Sequence, residues 1–272
     1  MLGVVTVAVL FPVMWVVSLA LDPRNIDKPL ELRLIPPGAS LDAFRRVLVE
    51  PFGLLGKNPA DPSTCMTFAG LLKNSLIVAL GTSVVAVLMG ASAAYAFSRF
   101  RFIGREVGMI GFIALLMLPA AASLAPLYVL LSSIKIGGES LRTTLFGLML
   151  AYGSGTLPFA IWNMKGYFDT VPIELEEAGL IDGASVTGIF FRIILPLSAP
   201  ALAVTVLFAF MAGWTEFVLA WTFLEDPSRF TLAMALRSMQ GQFATPWSDF
   251  AAMSILMTIP ILISWPNFYH GV

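Results

Sequence analysis

Carboxylates crowd into one short stretch of a chain that is 58% hydrophobic and only 12% charged. These acids are Glu174, Glu176, Glu177 and Asp182. His270 and Cys65 are the only histidine and cysteine of the chain, so it has no cluster of soft ligands for zinc or iron. The same scarcity leaves no plausible Ser-His-Asp set. We therefore expect no catalytic or metal-binding residues, and the acids need another explanation.

A nucleotide site is not expected either. A phosphate-binding loop requires G-x-x-x-x-G-K-[ST], in which glycine N–H groups surround the phosphates and the lysine meets their charge. No lysine in this sequence precedes serine or threonine, and the nearest match, GLLGKN at 53–58, has the wrong spacing and the wrong last residue. The chain itself should therefore bind no ATP and no other cofactor.

Local signals predict a helix around the acids. Pro172 suits the first turn of a helix, and Asp169 or Thr170 could cap it. Carboxylates in the first turns are favoured by the positive end of the helix dipole. The Asp182-Gly183 pair is a turn signal and should end this helix.

A second helix should follow immediately. Ser185 can cap it, and it should run through Phe190 and Ile194. The acidic segment, residues 165–196, is thus predicted to form a helix-turn-helix with acids on one side and small or aliphatic residues on the other. The small side chains permit close approach of another element; they are Ala178, Gly179, Gly183 and Ala184.

The alternative is an amphipathic segment that rests at a membrane interface. Such segments usually carry Lys and Arg, whereas the acids here face only Lys165 and Arg192. The charge pattern favours docking to another protein.

Hydropathy indicates what surrounds this segment. The mean hydropathy of +0.86 is typical of membrane proteins, and the net charge of -1 gives no basic field for nucleic acid. Apolar runs of about 20 residues are long enough to cross a membrane as helices. We predict an all-α membrane protein, a single domain over 1–272, with six transmembrane helices at 2–21, 75–97, 107–133, 143–164, 197–224 and 250–268.

Charge also predicts the orientation. Three arginines lie in the short loop 98–105, and short basic loops favour the cytoplasm. The acidic segment, between spans 4 and 5, is then cytoplasmic, whereas 22–72 and 225–249 lie outside. No Lys or Arg precedes the first span, which favours a retained helix over a cleaved signal peptide.

The acidic segment and several other stretches resemble a known protein family. EEAGLIDGA at 176–184, with LP at 195–196, closely resembles the EAA loop of permease subunits in ATP-binding-cassette importers. KNSLIVALGTS, AYAFSRFRF, KGYFDTVP and DFAA are similar, in order, to the maltose-type (MalG-like) carbohydrate permeases. One departure is Gly179, where the family commonly has alanine. Glycine weakens a helix interior by about 1 kcal/mol relative to alanine.

The resemblance implies that the acidic segment contains a coupling helix that fits a cleft on a separate ATPase subunit. The residues that it assigns to this contact are Glu177, Ala178, Gly179, Leu180, Ile181, Asp182, Gly183 and Ala184. It also implies the partners: a second, MalF-like permease, two ATPase subunits that bind ATP and Mg, an extracytoplasmic sugar-binding protein, and membrane lipid.

The same resemblance implies a location and a substrate class. The location is the cytoplasmic (inner) membrane of a bacterium or archaeon, which the chain crosses several times, and the substrate is maltose, maltodextrin or a similar oligosaccharide. It further implies additional residues before the first span and a glycine-rich tail after the last.

Glu216 is the one ionisable group predicted well inside a span, where charge often marks a pathway or proton relay. A carboxylate that bonds the end of a helix is the alternative role. Trp214 could stack on a sugar face, although tryptophans near span ends more often anchor the interface. The candidates for the translocation path are Pro119, Trp214, Thr215 and Glu216. A carrier of another class, coupled to ions through Glu216, would leave the acidic segment unexplained.

Overall fold

A computed structural model describes residues 2–25, 35–50, 52–53, 65–240 and 245–270, most of them helical. The α-helices, α1 to α13 in chain order, are Leu2–Ala20, Asp42–Val49, Phe68–Arg99, Arg105–Leu116, Leu124–Ser133, Leu145–Phe168, Glu174–Ile181, Val186–Ile189, Leu195–Leu197, Ala199–Thr215, Val218–Phe223, Leu232–Ser238 and Trp247–His270. Short 3-10 helices lie at Ala120–Ser123, Leu141–Thr143 and Pro227–Arg229, and a π turn lies at Phe190–Ile194.

Strands are minimal within the described ranges. β1 (Phe52–Gly53) pairs with β2 (Cys65–Met66), and β3 (Lys135–Ile136) pairs with β4 (Glu139–Ser140); both pairs are antiparallel. The predicted helical class is therefore confirmed.

Membrane-spanning helices can be identified by length and composition. Among the described residues, Gly3–Ala20, Phe68–Arg99 and Leu145–Phe168 are each long and apolar enough to cross a membrane. Two bent pairs of helices raise the number to five if each pair is one span. The part of α13 from Trp247 to Leu262 is also apolar but is shorter than these helices.

The predicted span 107–133 is not one helix. α4 ends at Leu116, a 3-10 turn covers Ala120–Ser123, and α5 starts at Leu124. The two parts are bent by 103°. Pro119 explains the break, because it has an extended backbone (ψ 130) and no N–H to continue the helical bonds.

The predicted span 197–224 is also broken. α9 and α10 meet at a bend of 81° around Ser198, where Pro200, without an N–H, occupies the first turn of α10. α10 then ends at Thr215 because Glu216 has left the helical conformation (ψ 133), and α11 starts at Val218.

The ends of the other helices differ from the predicted span boundaries by a few residues. α3 is longer than the predicted 75–97, and α6 occupies Leu145–Phe168 where 143–164 was predicted. The first four residues of the acidic segment therefore belong to α6, and its non-helical link begins at Asp169. α1 and α13 lie close to the predicted 2–21 and 250–268.

The chain divides into two compact units, of which the first comprises Met1–Ser75 and Glu225–Asn267. Hydrogen bonds join distant segments within it. The Nδ2 of Asn74 donates to the carbonyls of Ser228 (2.8 Å) and Phe230 (2.9 Å). Asp249, in the first turn of α13, accepts from Arg46 of α2 (2.9 Å) and from Asn25 (3.1 Å). These bonds fix the start of α3, α2 and α13 in one unit.

The second unit comprises Leu76–Leu224 with Phe268–Val272, and α6 lies at its centre. α6 contacts α4, α10 and α11, and α3 approaches it closely at Gly90. A Cβ on Gly90 would lie 2.8 Å from the Cβ of Ala160, so the missing side chain allows the two helices to pack. Met164 and Phe168, on the last turns of α6, are fully buried. This end of α6 supports the acidic segment.

Candidate functional site

The stop of α7 follows the predicted turn chemistry. Asp182 is the C-cap, and Gly183 adopts the left-handed conformation (φ +82) that favours glycine. The N–H of Gly183 bonds the carbonyl of Leu180 (3.0 Å), and that of Ala184 bonds the carbonyl of Gly179 (2.9 Å). This pattern is a Schellman motif. The prediction that Asp182-Gly183 ends the helix is confirmed.

The predicted cap of the second helix is confirmed as well. The Oγ of Ser185 accepts from the N–H of Gly188 at 3.1 Å. The helical run continues to Leu197, but it contains the π turn Phe190–Ile194, which was not predicted. A π turn inserts an extra residue into a helix and shifts the faces on either side of it.

The predicted cap at the start of α7 is wrong. Ile173 occupies the N-cap position without a side-chain bond. Asp169 is instead the C-cap of α6, and its carboxylate accepts from Ser98 Oγ and Lys165 Nζ, both at 2.6 Å. Thr170 Oγ1 donates back to the carbonyl of Tyr167. Asp169 lies one helical turn after Lys165, and this pairing uses its carboxylate.

The charges near Asp169 also set its ionisation. Partial burial opposes the charged form, but the hydrogen bonds from Lys165 and Ser98, with the positive charges of Lys165 and Arg105, outweigh it and lower the pKa of Asp169 below 3.8. Asp169 is therefore ionised at neutral pH and holds the link between α6 and α7 to the end of α3.

The prediction that the acids share one face is wrong, because Glu176 points in a different direction from the others. Its side chain is buried, with 8% of the residue exposed, whereas Glu174, Glu177 and Asp182 are exposed. Tyr95 donates its hydroxyl to Glu176 Oε2 at 2.8 Å, and Arg99 forms an ion pair with Oε1. A buried carboxylate requires such partners, and α3 supplies both.

Gly179 also faces inward and is buried. A Cβ at this position would lie 3.1 Å from Ile193 Cδ1 and 3.2 Å from Ile189 Cγ1. These contacts are tight, and the isoleucine side chains would have to shift slightly to admit alanine. The small residue thus permits close packing of α7 against the following helix of the same chain.

The outer surface of α7 and its turn is exposed to solvent. Six of the eight predicted contact residues are exposed: Glu177, Ala178, Leu180, Ile181, Asp182 and Gly183. Ile181 is 86% exposed, and Ala184 is half-buried. The surface is mixed, with two carboxylates beside apolar side chains. Such a surface suits a protein partner better than water alone.

The candidates for the translocation path occupy two places. Pro119 is exposed at the break between α4 and α5, whereas Trp214, Thr215 and Glu216 follow one another at the end of α10. Trp214 is buried, and its ring stacks on Phe210 with centroids 5.5 Å apart. A buried ring is neither an interface anchor nor an open platform for a sugar.

Glu216 forms local hydrogen bonds. Its carboxylate accepts from the N–H of Val218 at 2.7 Å and of Leu219 at 3.1 Å. Tyr152 of α6 donates its hydroxyl to the Glu216 carbonyl at 3.2 Å. Glu216 therefore caps the start of α11 and connects it to α6, which is the alternative role considered for this residue.

A cavity of about 210 Å³ lies between α6 and α10. Its lining is mainly apolar and includes Thr156, Phe159, Thr205, Phe208 and Ala212. None of the four path candidates lines this cavity. The described residues contain no group of three or more His, Cys, Asp or Glu side chains that could hold a metal ion.

Comparison with known proteins finds a matching family model and several similar permease proteins. The family model described as "Binding-protein-dependent transport system inner membrane component" matches residues 65–269. The galactooligosaccharides transport system permease protein GanQ of Bacillus subtilis (strain 168) is 31% identical over 100% of this chain and 91% of its own length. The trehalose/maltose transport system permease protein MalG of Thermococcus litoralis is 34% identical over 96% and 88%, respectively.

A solved structure shares the fold. It is the crystal structure of a bacterial ABC transporter involved in the import of the acidic polysaccharide alginate. The similarity covers 99% of this chain and 92% of that chain, with a TM-score of 0.78 and 20% sequence identity.

Proposed function

The chain belongs to the family of binding-protein-dependent transport system inner membrane components, and from that premise we propose that it is one permease subunit of an ATP-driven sugar importer. The family is one of transport components, not of enzymes, in the cell membrane. We propose maltose, maltodextrin or a similar oligosaccharide as the substrate, since the relatives are named for galactooligosaccharides and for trehalose and maltose.

The observation that carries the proposal is the two-sided construction of α7. Its inner side, with Glu176 and Gly179, is buried against the same chain. Its outer side exposes Glu177, Ala178 and 180–183. A short helix fixed on one side and exposed on the other can receive a partner without losing its own position.

The partner proposed for this outer side is an ATPase. The chain lacks a phosphate-binding loop, so another subunit would have to bind and hydrolyse ATP. ATP and Mg would bind two ATPase subunits, whose closure would move α7 and rotate the spans as rigid bodies. ATP drives this change only if it binds the closed state more tightly. A second, MalF-like permease would complete the path, and an extracytoplasmic sugar-binding protein would deliver the substrate.

We further propose six membrane crossings in the cytoplasmic membrane of a bacterium or archaeon. The three long helices, the bent pair of α4 and α5, α10 together with α11, and α13 would each cross once. The basic loop 98–105 and the acidic segment would both face the cytoplasm. The bonds from Ser98 to Asp169 and from Arg99 to Glu176 support a common side for them.

An ion-coupled carrier that uses Glu216 is the second candidate. A relay group must exchange protons during the transport cycle, whereas this carboxylate already accepts from two backbone N–H groups. Family membership gives this candidate no support.

Affinity purification from native membranes tests the proposal. The chain, tagged and solubilised in mild detergent, should bring down an ATPase that mass spectrometry identifies, and vesicles that contain the complex should import sugar only with ATP inside. Glu177→Arg should reduce the co-purified ATPase at least tenfold. Glu106→Arg, the same change at an exposed residue of α4, should reduce it less than twofold. Absence of any ATPase with the unmodified chain would refute the proposed function.

A further inference from the structure

Glu176 is the exception among the acids of α7, and it points toward its own chain. Glu174 and Glu177 flank it on the same helix and are exposed, whereas Glu176 is 8% exposed. A docking surface would use the exposed acids. The buried acid must serve a contact within the permease.

The partners of Glu176 both belong to the last turns of α3. Tyr95 and Arg99 are four residues apart, so they lie on the same face of this helix. Tyr95 donates to Oε2 at 2.8 Å, and Arg99 pairs with Oε1. Arg99 also donates from Nη2 to the carbonyl of Val171 at 2.9 Å. One arginine thus holds both α7 and the link that precedes it.

The surroundings make this contact stiff. The ring of Tyr95 packs edge-on against Phe168, with centroids 6.3 Å apart, and lies 4.9 Å from Phe190. Phe168 ends α6, and Phe190 begins the π turn after α8. All three rings belong to one buried apolar cluster. Because packed interiors do not deform continuously, a displacement of α7 moves what it is bonded to.

We propose that Glu176, Arg99 and Tyr95 form a positioning cluster that transmits the movement of α7 to α3, so that ATP hydrolysis is converted into opening of the sugar path. The proposal rests on the proposed importer function and assigns a role within it. Glu176 binds neither the ATPase nor the sugar. It acts by connecting α7, which meets the ATPase, to the longest helix among the described residues.

The role separates coupling from docking. A permease without the Glu176 ion pair should still present the outer side of α7, so the ATPase should bind and hydrolyse ATP. The movement would be lost between α7 and α3. The expected signature is less sugar imported per ATP hydrolysed.

The test uses the complete transporter in proteoliposomes, with the ATPases, the second permease and the sugar-binding protein co-purified from native membranes. ATP hydrolysis and uptake of radiolabelled maltodextrin are measured in the same preparation. Glu176→Gln should retain the ATPase and lower the sugar imported per ATP at least tenfold. Glu106→Gln, the same change at an exposed glutamate, should change this ratio less than twofold. Arg99→Lys, which keeps the positive charge, should retain more of the ratio than Arg99→Gln.

The outcomes are distinguishable from failure of the proposed function. Absence of ATP-driven uptake by the unmodified complex would refute the importer itself. An unchanged ratio in Glu176→Gln, with uptake present in the unmodified complex, would overturn only the positioning role. If Glu176→Gln does not assemble, Tyr95→Phe decides, because it removes a single hydroxyl. A two- to threefold lower ratio in Tyr95→Phe supports the cluster, and an unchanged ratio refutes it.

Discussion

Two glutamates of this chain, Glu176 and Glu216, are stabilised in different ways. Glu176 accepts hydrogen bonds from residues 77 and 81 positions earlier in the sequence. Glu216 accepts from backbone N–H groups two and three positions later. The first arrangement joins distant helices, whereas the second ends one helix and starts the next. The sequence separation between a carboxylate and its hydrogen-bond donors therefore distinguishes a contact between distant helices from a local helix cap.

Among the variants that test this comparison, Arg99→Ala is expected to lower the free energy of unfolding most. Removing the cation leaves Glu176 as an uncompensated buried charge, which typically costs about 3–5 kcal/mol. Unfolding of the purified permease in detergent, followed by circular dichroism, measures this loss. Arg101→Ala, at an exposed position, is the matched control and should stay within about 0.5 kcal/mol. Equal losses in the two variants would mean that the ion pair adds nothing.

Glu216→Ala should have an intermediate effect, because it removes a local cap and no long-range contact. Loss of a helix cap costs about 0.5–2 kcal/mol. Glu216→Gln keeps one side-chain oxygen as an acceptor and should lose less than half as much in the same unfolding measurement. Uptake by Glu216→Gln should also keep the pH profile of the unmodified transporter. A profile that becomes flat would support an ion-coupled carrier.

Asp169→Asn should have the smallest effect. The Lys165–Asp169 pair is partly exposed, so its loss should cost under about 1 kcal/mol. The folded state lowers the pKa of Asp169 below 3.8, so the stabilisation is present above this value and is lost as the pH falls through the lower pKa of the folded state. The unfolding midpoints of the variant and the unmodified chain should therefore differ by a constant amount from pH 8 to pH 5. A difference that disappears between pH 8 and pH 5 would contradict this assignment.

Local rules predicted much of the acidic segment. The Ser185 cap and the Asp182-Gly183 stop depend on residues within one turn of each other, and both were identified from the sequence. The burial of Glu176 was not, because it depends on Tyr95 and Arg99 of a distant helix. A signal was present: two potential donors, four residues apart, end the helix that precedes a basic loop, and that loop was predicted to share a side with the acids.

The helical class followed from hydropathy, but hydropathy did not reveal the breaks. Pro119 was named as a candidate for the translocation path, and the bend of 103° beside it was not foreseen. Glu216 ends α10 with neither proline nor glycine at that position. Its carboxylate bonds the next helix, and an apolar average over the whole stretch hides such a cap.

The two ends of α10 have a consequence for the surrounding lipid. The bend at Ser198 and the cap at Glu216 leave a helix of 17 residues, about 26 Å long at 1.5 Å per residue. The hydrocarbon layer is roughly 30 Å thick. For the proposed crossing, α10 alone is too short for an average bilayer, so α9 or α11 would complete the crossing or the bilayer would thin beside it. Under that proposal, the acyl chain length of the lipid would act directly on the packing of this protein.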